Sequence, residues 1–171
     1  MRSFGLPLTT ALILGAAALA GCGKSEQAST HAPEAAGPEA EHEEAGEPSD
    51  ADKQKLLASL PAPYNEGDLS DGKKQFGLCR SCHTITQGGP NMTGPNLYGV
   101  FGRKAGSLEG FNYSDAVKAA GFTWDAEHLD KWLAQPGTFL PGTKMSFAGL
   151  KDPTARRDLI AYLKVETGYQ P

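Results

Sequence analysis

The sequence predicts an all-α domain, four or five short helices with long loops, folded around one covalently held cofactor. Three observations carry this expectation. Apolar residues share single helical faces in segments that open on Ser or Asp and stop at Gly or Pro. Between those segments run long stretches studded with glycine and proline, of which the chain holds 21 and 12, so the helices must be short and the loops extensive. The third observation is the run Cys79-Arg80-Ser81-Cys82-His83, which reads as a covalent haem attachment site.

The 171 residues leave room for one ordinary domain plus extensions. Residues 1–21 carry one basic residue, Arg2, then an apolar run that ends in small residues. That is the layout of a secretory signal. A spanning helix needs about 20 apolar residues, and Pro7, Thr9 and Thr10 break this run early. Leu19-Ala20-Gly21-Cys22 resembles a bacterial lipoprotein processing site, in which Cys22 becomes the lipidated first residue of the mature chain. Residues 22–63 are expected to form an acidic, disordered tether. Positions 23–63 hold nine acidic and three basic residues, with Glu39, Glu41, Glu43, Glu44 and Glu47 clustered. Such a segment has too little apolar surface to offset its ordering entropy. His31 and His42 read as bystanders there, and a short helix over 53–60 can form before Pro61 and Pro63 end it.

Residues 64–171 are the expected cofactor domain. They carry eleven acidic and twelve basic residues, a balance that excludes a basic nucleic-acid binder. The first helix should start near Ser70 or Asp71 and carry Gly72, Phe76 and Cys79, the last two on one face. Segments 114–120 and 125–135 read as helices stopped by Gly121 and Pro136, and Leu129, Trp132 and Leu133 share a face directed at the cofactor. The final helix should open at Asp152, with Pro153 in the favoured first position. It sets Ala155, Leu159, Tyr162 and Leu163 on one stripe before Gly168.

The chemistry of positions 79–83 decides the cofactor. Two thiols three residues apart can each add to a vinyl group of one porphyrin, and the adjoining His83 then offers an imidazole nitrogen to the iron. A thioredoxin-type C-x-x-C should sit at a strand-to-helix junction, and a zinc site needs a second ligand pair; neither context is present. With both thiols consumed by haem, Cys22 is an odd cysteine in an exported chain, which favours lipid attachment there. His or Met usually supplies the second axial ligand. Met92 follows His83 by nine residues, leaving little chain to round the macrocycle, whereas Met145 lies sixty-two residues on. Met145 is therefore the expected iron ligand beside His83, and Met92 is not.

From about residue 67 to 168 the chain resembles class I cytochrome c, nearest its mitochondrial-like branch. The matching stretches are 79–83, Thr93-Gly94-Pro95-Asn96-Leu97, Phe101-Gly102-Arg103-Lys104, Thr123-Trp124, 141–145 and 157–163, in family order. The resemblance implies a class I cytochrome c fold, with first and last helices crossing closely at Gly72. It implies that the Pro95 carbonyl orients His83, that Arg103, Tyr113, Ser114 and Trp124 surround the haem propionates, and that Trp132, Thr143 and Phe147 form the Met-side pocket. Trp132 stands where the family often has Tyr, and Val117 where mitochondrial forms carry a polar residue. A drier Met side and a raised potential are expected.

The functional expectation is a monomeric, single-haem electron carrier that performs no bond chemistry on a substrate. It would be exported and lipid-anchored on the periplasmic side of the cytoplasmic membrane, with an outer-membrane site left open. By resemblance its donor would be a cytochrome bc complex and its acceptor a haem-copper oxidase or photosynthetic reaction centre. The alternative is a haem peroxidase or a gas or redox sensor in which Met145 leaves the iron.

Overall fold

The structure, a computed structural model, describes residues 48–168. The signal segment, Cys22, His31 and His42 lie outside the described residues. Within them the chain forms α1 (Asp50–Ala58), a 3-10 turn (Tyr64–Glu66), α2 (Leu69–Phe76), α3 (Asp115–Ala119), α4 (Ala126–Ala134), α5 (Pro136–Phe139) and α6 (Pro153–Gly168). Strands are absent among the described residues, where a single antiparallel bridge pairs Lys104 with Thr123. The all-α expectation holds.

Short polar side chains start most of these helices. The carboxylate of Asp68 accepts from the Asp71 amide at 2.9 Å, that of Asp125 from the His128 amide at 2.8 Å, and the Ser114 hydroxyl from the Val117 amide at 3.3 Å. Each satisfies an amide that has no partner inside its own helix. At α6 the Asp152 carboxylate accepts from the Thr154 amide at 2.9 Å, while Pro153 occupies the first position, where its missing N–H costs nothing.

Two ends differ from expectation. Helix α2 stops at Phe76 with Gly77 as its cap, so Cys79 leaves the helix and lies in the tight turns that follow. Pro136 does end α4, but it also opens the one-turn helix α5, because a proline that cannot continue a helix is well suited to begin one.

The core is built on α6, whose Leu159, Ile160, Leu163 and Val165 are buried. Helix α2 crosses it at Gly72, where an added Cβ would lie 2.1 Å from the Asp158 carbonyl oxygen and 2.6 Å from the Tyr162 Cβ. Only a residue without a side chain allows that approach. The buried Asp158 carboxylate closes the crossing, accepting from the Asp68 amide at 3.0 Å and from the Arg157 guanidinium at 2.8 Å.

The folded unit reaches further toward the N-terminus than the boundary expected at residue 64. Helix α1 packs on α6, with Leu57 8% and Leu60 6% exposed, and so belongs to the domain and not to the tether. The acidic composition of this stretch concealed it: α1 contributes only Leu56 and Leu57 as large apolar groups, and α6 supplies the surface they need.

Candidate cofactor site

The loops after α2, with residues of α3, α4 and α6, form one cavity of about 310 Å³, lined mainly by apolar side chains, at the lower end of the range of about 300–1,000 Å³ for small-molecule and cofactor sites. Cys79, Cys82 and His83 lie on its wall, with Pro95, Tyr113, Trp124, Trp132, Thr143, Met145 and Phe147. Every residue assigned to the cofactor from the sequence lines this cavity except Arg103. That guanidinium stands behind the wall, donating to the Asn96 carbonyl at 2.9 Å, to the Tyr98 carbonyl, and to Tyr113. Met92 is 46% exposed and absent from the lining.

Tight turns set the thiols and the imidazole. The Cys79 amide donates to the Phe76 carbonyl at 2.8 Å, and the amides of Cys82 and His83 both donate to the Cys79 carbonyl at 3.0 Å. The His83 Nδ1–H then donates to the Pro95 carbonyl at 2.7 Å, which fixes the tautomer and leaves Nε2 with a free lone pair. Burial pulls the His83 pKa below its ordinary value, against the opposing pull of the Pro95 bond, and so favours the neutral, ligating form. Gly94 lies flat on this ring: an added Cβ would meet Cε1 at 2.2 Å and both ring nitrogens at 2.7 Å.

The loop that presents Pro95 is wired by a residue to which sequence reasoning gave no role. Asn96, buried, donates to the Thr84 hydroxyl at 2.6 Å and the Thr86 carbonyl at 2.9 Å, and accepts from the Tyr98 amide at 2.9 Å. A buried amide pays a desolvation cost unless all its groups are partnered, as they are here. Leu97, Val100 and Leu163 also went unassigned as lining residues; of these, only Leu163 gave a signal, through its place on the α6 stripe.

These observations decide between chemistries. Burial, and after it the neighbouring Cys82, pushes the Cys79 thiol up to about 11. A redox dithiol needs the reverse, since it works through a thiolate. No group of three or more His, Cys, Asp and Glu side chains assembles among the described residues, so no zinc-type ligand set exists there. An apolar cavity with two unpaired thiols, a neutral imidazole of fixed tautomer and a thioether fits a covalent haem.

Comparison with known proteins agrees. Residues 69–165 match the family model described as Cytochrome c. The chain is similar to cytochrome c of Stellaria longipes, 47% identical over 105 residues, 61% of this chain and 97% of that one. It is similar to cytochrome c2 of Blastochloris viridis, 46% identical over 109 residues, 64% of this chain and 86% of the relative. Among solved structures, cytochrome cH from Methylobacterium extorquens superposes with a TM-score of 0.54 at 47% identity, covering 57% of this chain and 98% of that one. The helical fold, the cavity with its C-x-x-C-H wall and these relatives converge: the chain belongs to the cytochrome c family, an electron carrier whose cofactor is one covalently bound haem c.

Proposed function

We propose that this protein is a membrane-tethered, single-haem carrier in which Cys79 and Cys82 form the two thioethers and His83 and Met145 are the axial ligands. The observation that carries the assignment is the cavity that has all four residues in its lining, with His83 Nδ1 committed to the Pro95 carbonyl and Nε2 left to donate. When bound, haem supplies reversible one-electron chemistry at its iron. The protein's own contribution is to hold a neutral imidazole by its outer nitrogen, to keep water from the thioether side with Val117, Trp132 and Leu133, and to place Tyr113 and Ser114 as polar groups in an otherwise apolar wall.

The tether reading rests on Leu19-Ala20-Gly21-Cys22 and on the odd cysteine. Among the described residues no helix is long and apolar enough to cross a membrane, and lipid on Cys22 would supply a stable attachment. A cytochrome bc complex as donor and a haem-copper oxidase or photosynthetic reaction centre as acceptor suit a carrier held on the periplasmic face. The axial assignment is tested by absorbance and redox titration. Met145→Ala should abolish the sulfur-to-iron charge-transfer band of the ferric protein, lower the potential and admit cyanide or carbon monoxide, whereas Met92→Ala should change none of these. A normal spectrum in the first variant, or its loss in the second, overturns the choice of methionine.

A further inference from the structure

We infer that Arg156 is a positioning residue for the Met145 loop, acting with Asp130 as a clamp that holds the loop's C-terminal end against the cavity. The inference rests on Met145 being the ligand, and its basis is a set of bonds that converge five and six residues downstream. Arg156 Nε donates to Asp130 Oδ1 at 2.7 Å, and its Nη1 donates to the carbonyls of Leu150 and Lys151, both at 2.9 Å. One side chain on α6 thus grips α4 and the loop segment that leaves Met145. The pair is withdrawn from water, with the Arg156 side chain 12% and the Asp130 side chain 27% exposed.

The same segment is attached to α4 at further points. The Leu150 amide donates to the Leu133 carbonyl at 2.8 Å, Lys151 Nζ donates to the Ala134 carbonyl at 2.9 Å, and Gly149 packs against that carbonyl. Leu129, Trp132 and Leu133 of α4 line the cavity, so a loop segment registered on the end of α4 is registered on the cavity wall. On the other side of Met145 the attachment is slighter: its amide donates to the Thr143 hydroxyl at 3.2 Å, and Lys144 Nζ to the Asn112 carbonyl at 3.2 Å. The fork of a guanidinium is what serves two carbonyls and a carboxylate at once; an ammonium has no such fixed geometry. Charge makes these bonds stronger than neutral ones.

A clamp of this kind sets how often the loop opens, and the apparent affinity of any external ligand for the iron scales with the open fraction. Imidazole binding to the ferric holoprotein is the probe, read with the charge-transfer band, the reduction potential and the hydrogen exchange of the Leu150 amide. Arg156→Ala and the near-isosteric Asp130→Asn are compared with Arg157→Ala, which breaks the Arg157–Asp158 pair on the same helix without touching the loop. Imidazole should bind about tenfold tighter in both clamp variants, the size of losing one hydrogen bond to a charged group, with faster Leu150 exchange. Arg156→Lys should recover only part of the difference. Unchanged imidazole affinity in the clamp variants, or an equal gain in Arg157→Ala at matched loss of stability, overturns the inference. Absence of the band in the unsubstituted protein would instead overturn the Met145 assignment, and the clamp's role with it.

Discussion

Replacing Gly94 by Ala adds one methyl group where the backbone touches the imidazole of His83. The added Cβ would sit 2.2 Å from Cε1 and 2.7 Å from each ring nitrogen, against an ordinary contact of about 3.5–4.0 Å between carbon atoms. Either the ring or the 93–97 loop must retreat by more than an ångström. The ring is held from behind by its 2.7 Å bond to the Pro95 carbonyl, one residue from the methyl, so neither can move without stretching that bond. The Gly94 amide, which donates to the Cys82 carbonyl at 2.9 Å, ties the loop to the thiol turn and blocks the simplest escape. Overpacking of about 1–3 kcal/mol and loss of a hydrogen bond worth about 1 kcal/mol sum to a destabilisation of about 2–4 kcal/mol. For a domain of this size that is a fall in Tm of roughly 10 °C or more. Thermal unfolding of the holoprotein followed at the Soret band measures the fall, and a redox titration reports the ligand field, which should shift toward a weaker His donor. A Gly94→Ala protein with unchanged Tm and unchanged potential would refute the claim that backbone contact at this position sets the imidazole.

Two further expectations follow from the N-terminal part of the chain. Leu57→Ala in α1 and Leu60→Ala just after it remove apolar groups buried in the core and should each cost about 2 kcal/mol, the low end for a core leucine because α1 lies at the edge of the unit; urea unfolding with unchanged midpoints would return α1 to the tether. Cys22→Ser should release haem-loaded protein from the membrane fraction with its spectrum intact, since the cavity uses Cys79 and Cys82, and a variant that stays in the membrane fraction would show that the apolar run at 8–20 is itself an anchor.

What the sequence determined alone is the chemistry that depends on covalent spacing. Cys79, Cys82 and His83 are close because they are neighbours in the chain, and the caps at Asp68, Ser114 and Asp125 act on amides three residues away, so both are local facts that a one-dimensional pattern can display. That Met145 lines the cavity and Met92 does not accords with the distance each stands from His83 along the chain. Tertiary structure decided whatever needs a partner distant in sequence. Gly72 has to be glycine because of the Asp158 carbonyl, 86 residues away, and α1 is part of the domain because it packs on α6 and buries Leu57 in the core. Nothing local in the sequence marks Asn96, whose amide is satisfied by Thr84 and Thr86, or Arg156, whose guanidinium meets Asp130 and two loop carbonyls. A buried polar group is specified by the partners that offset its desolvation, and those partners are brought to it only when the chain folds.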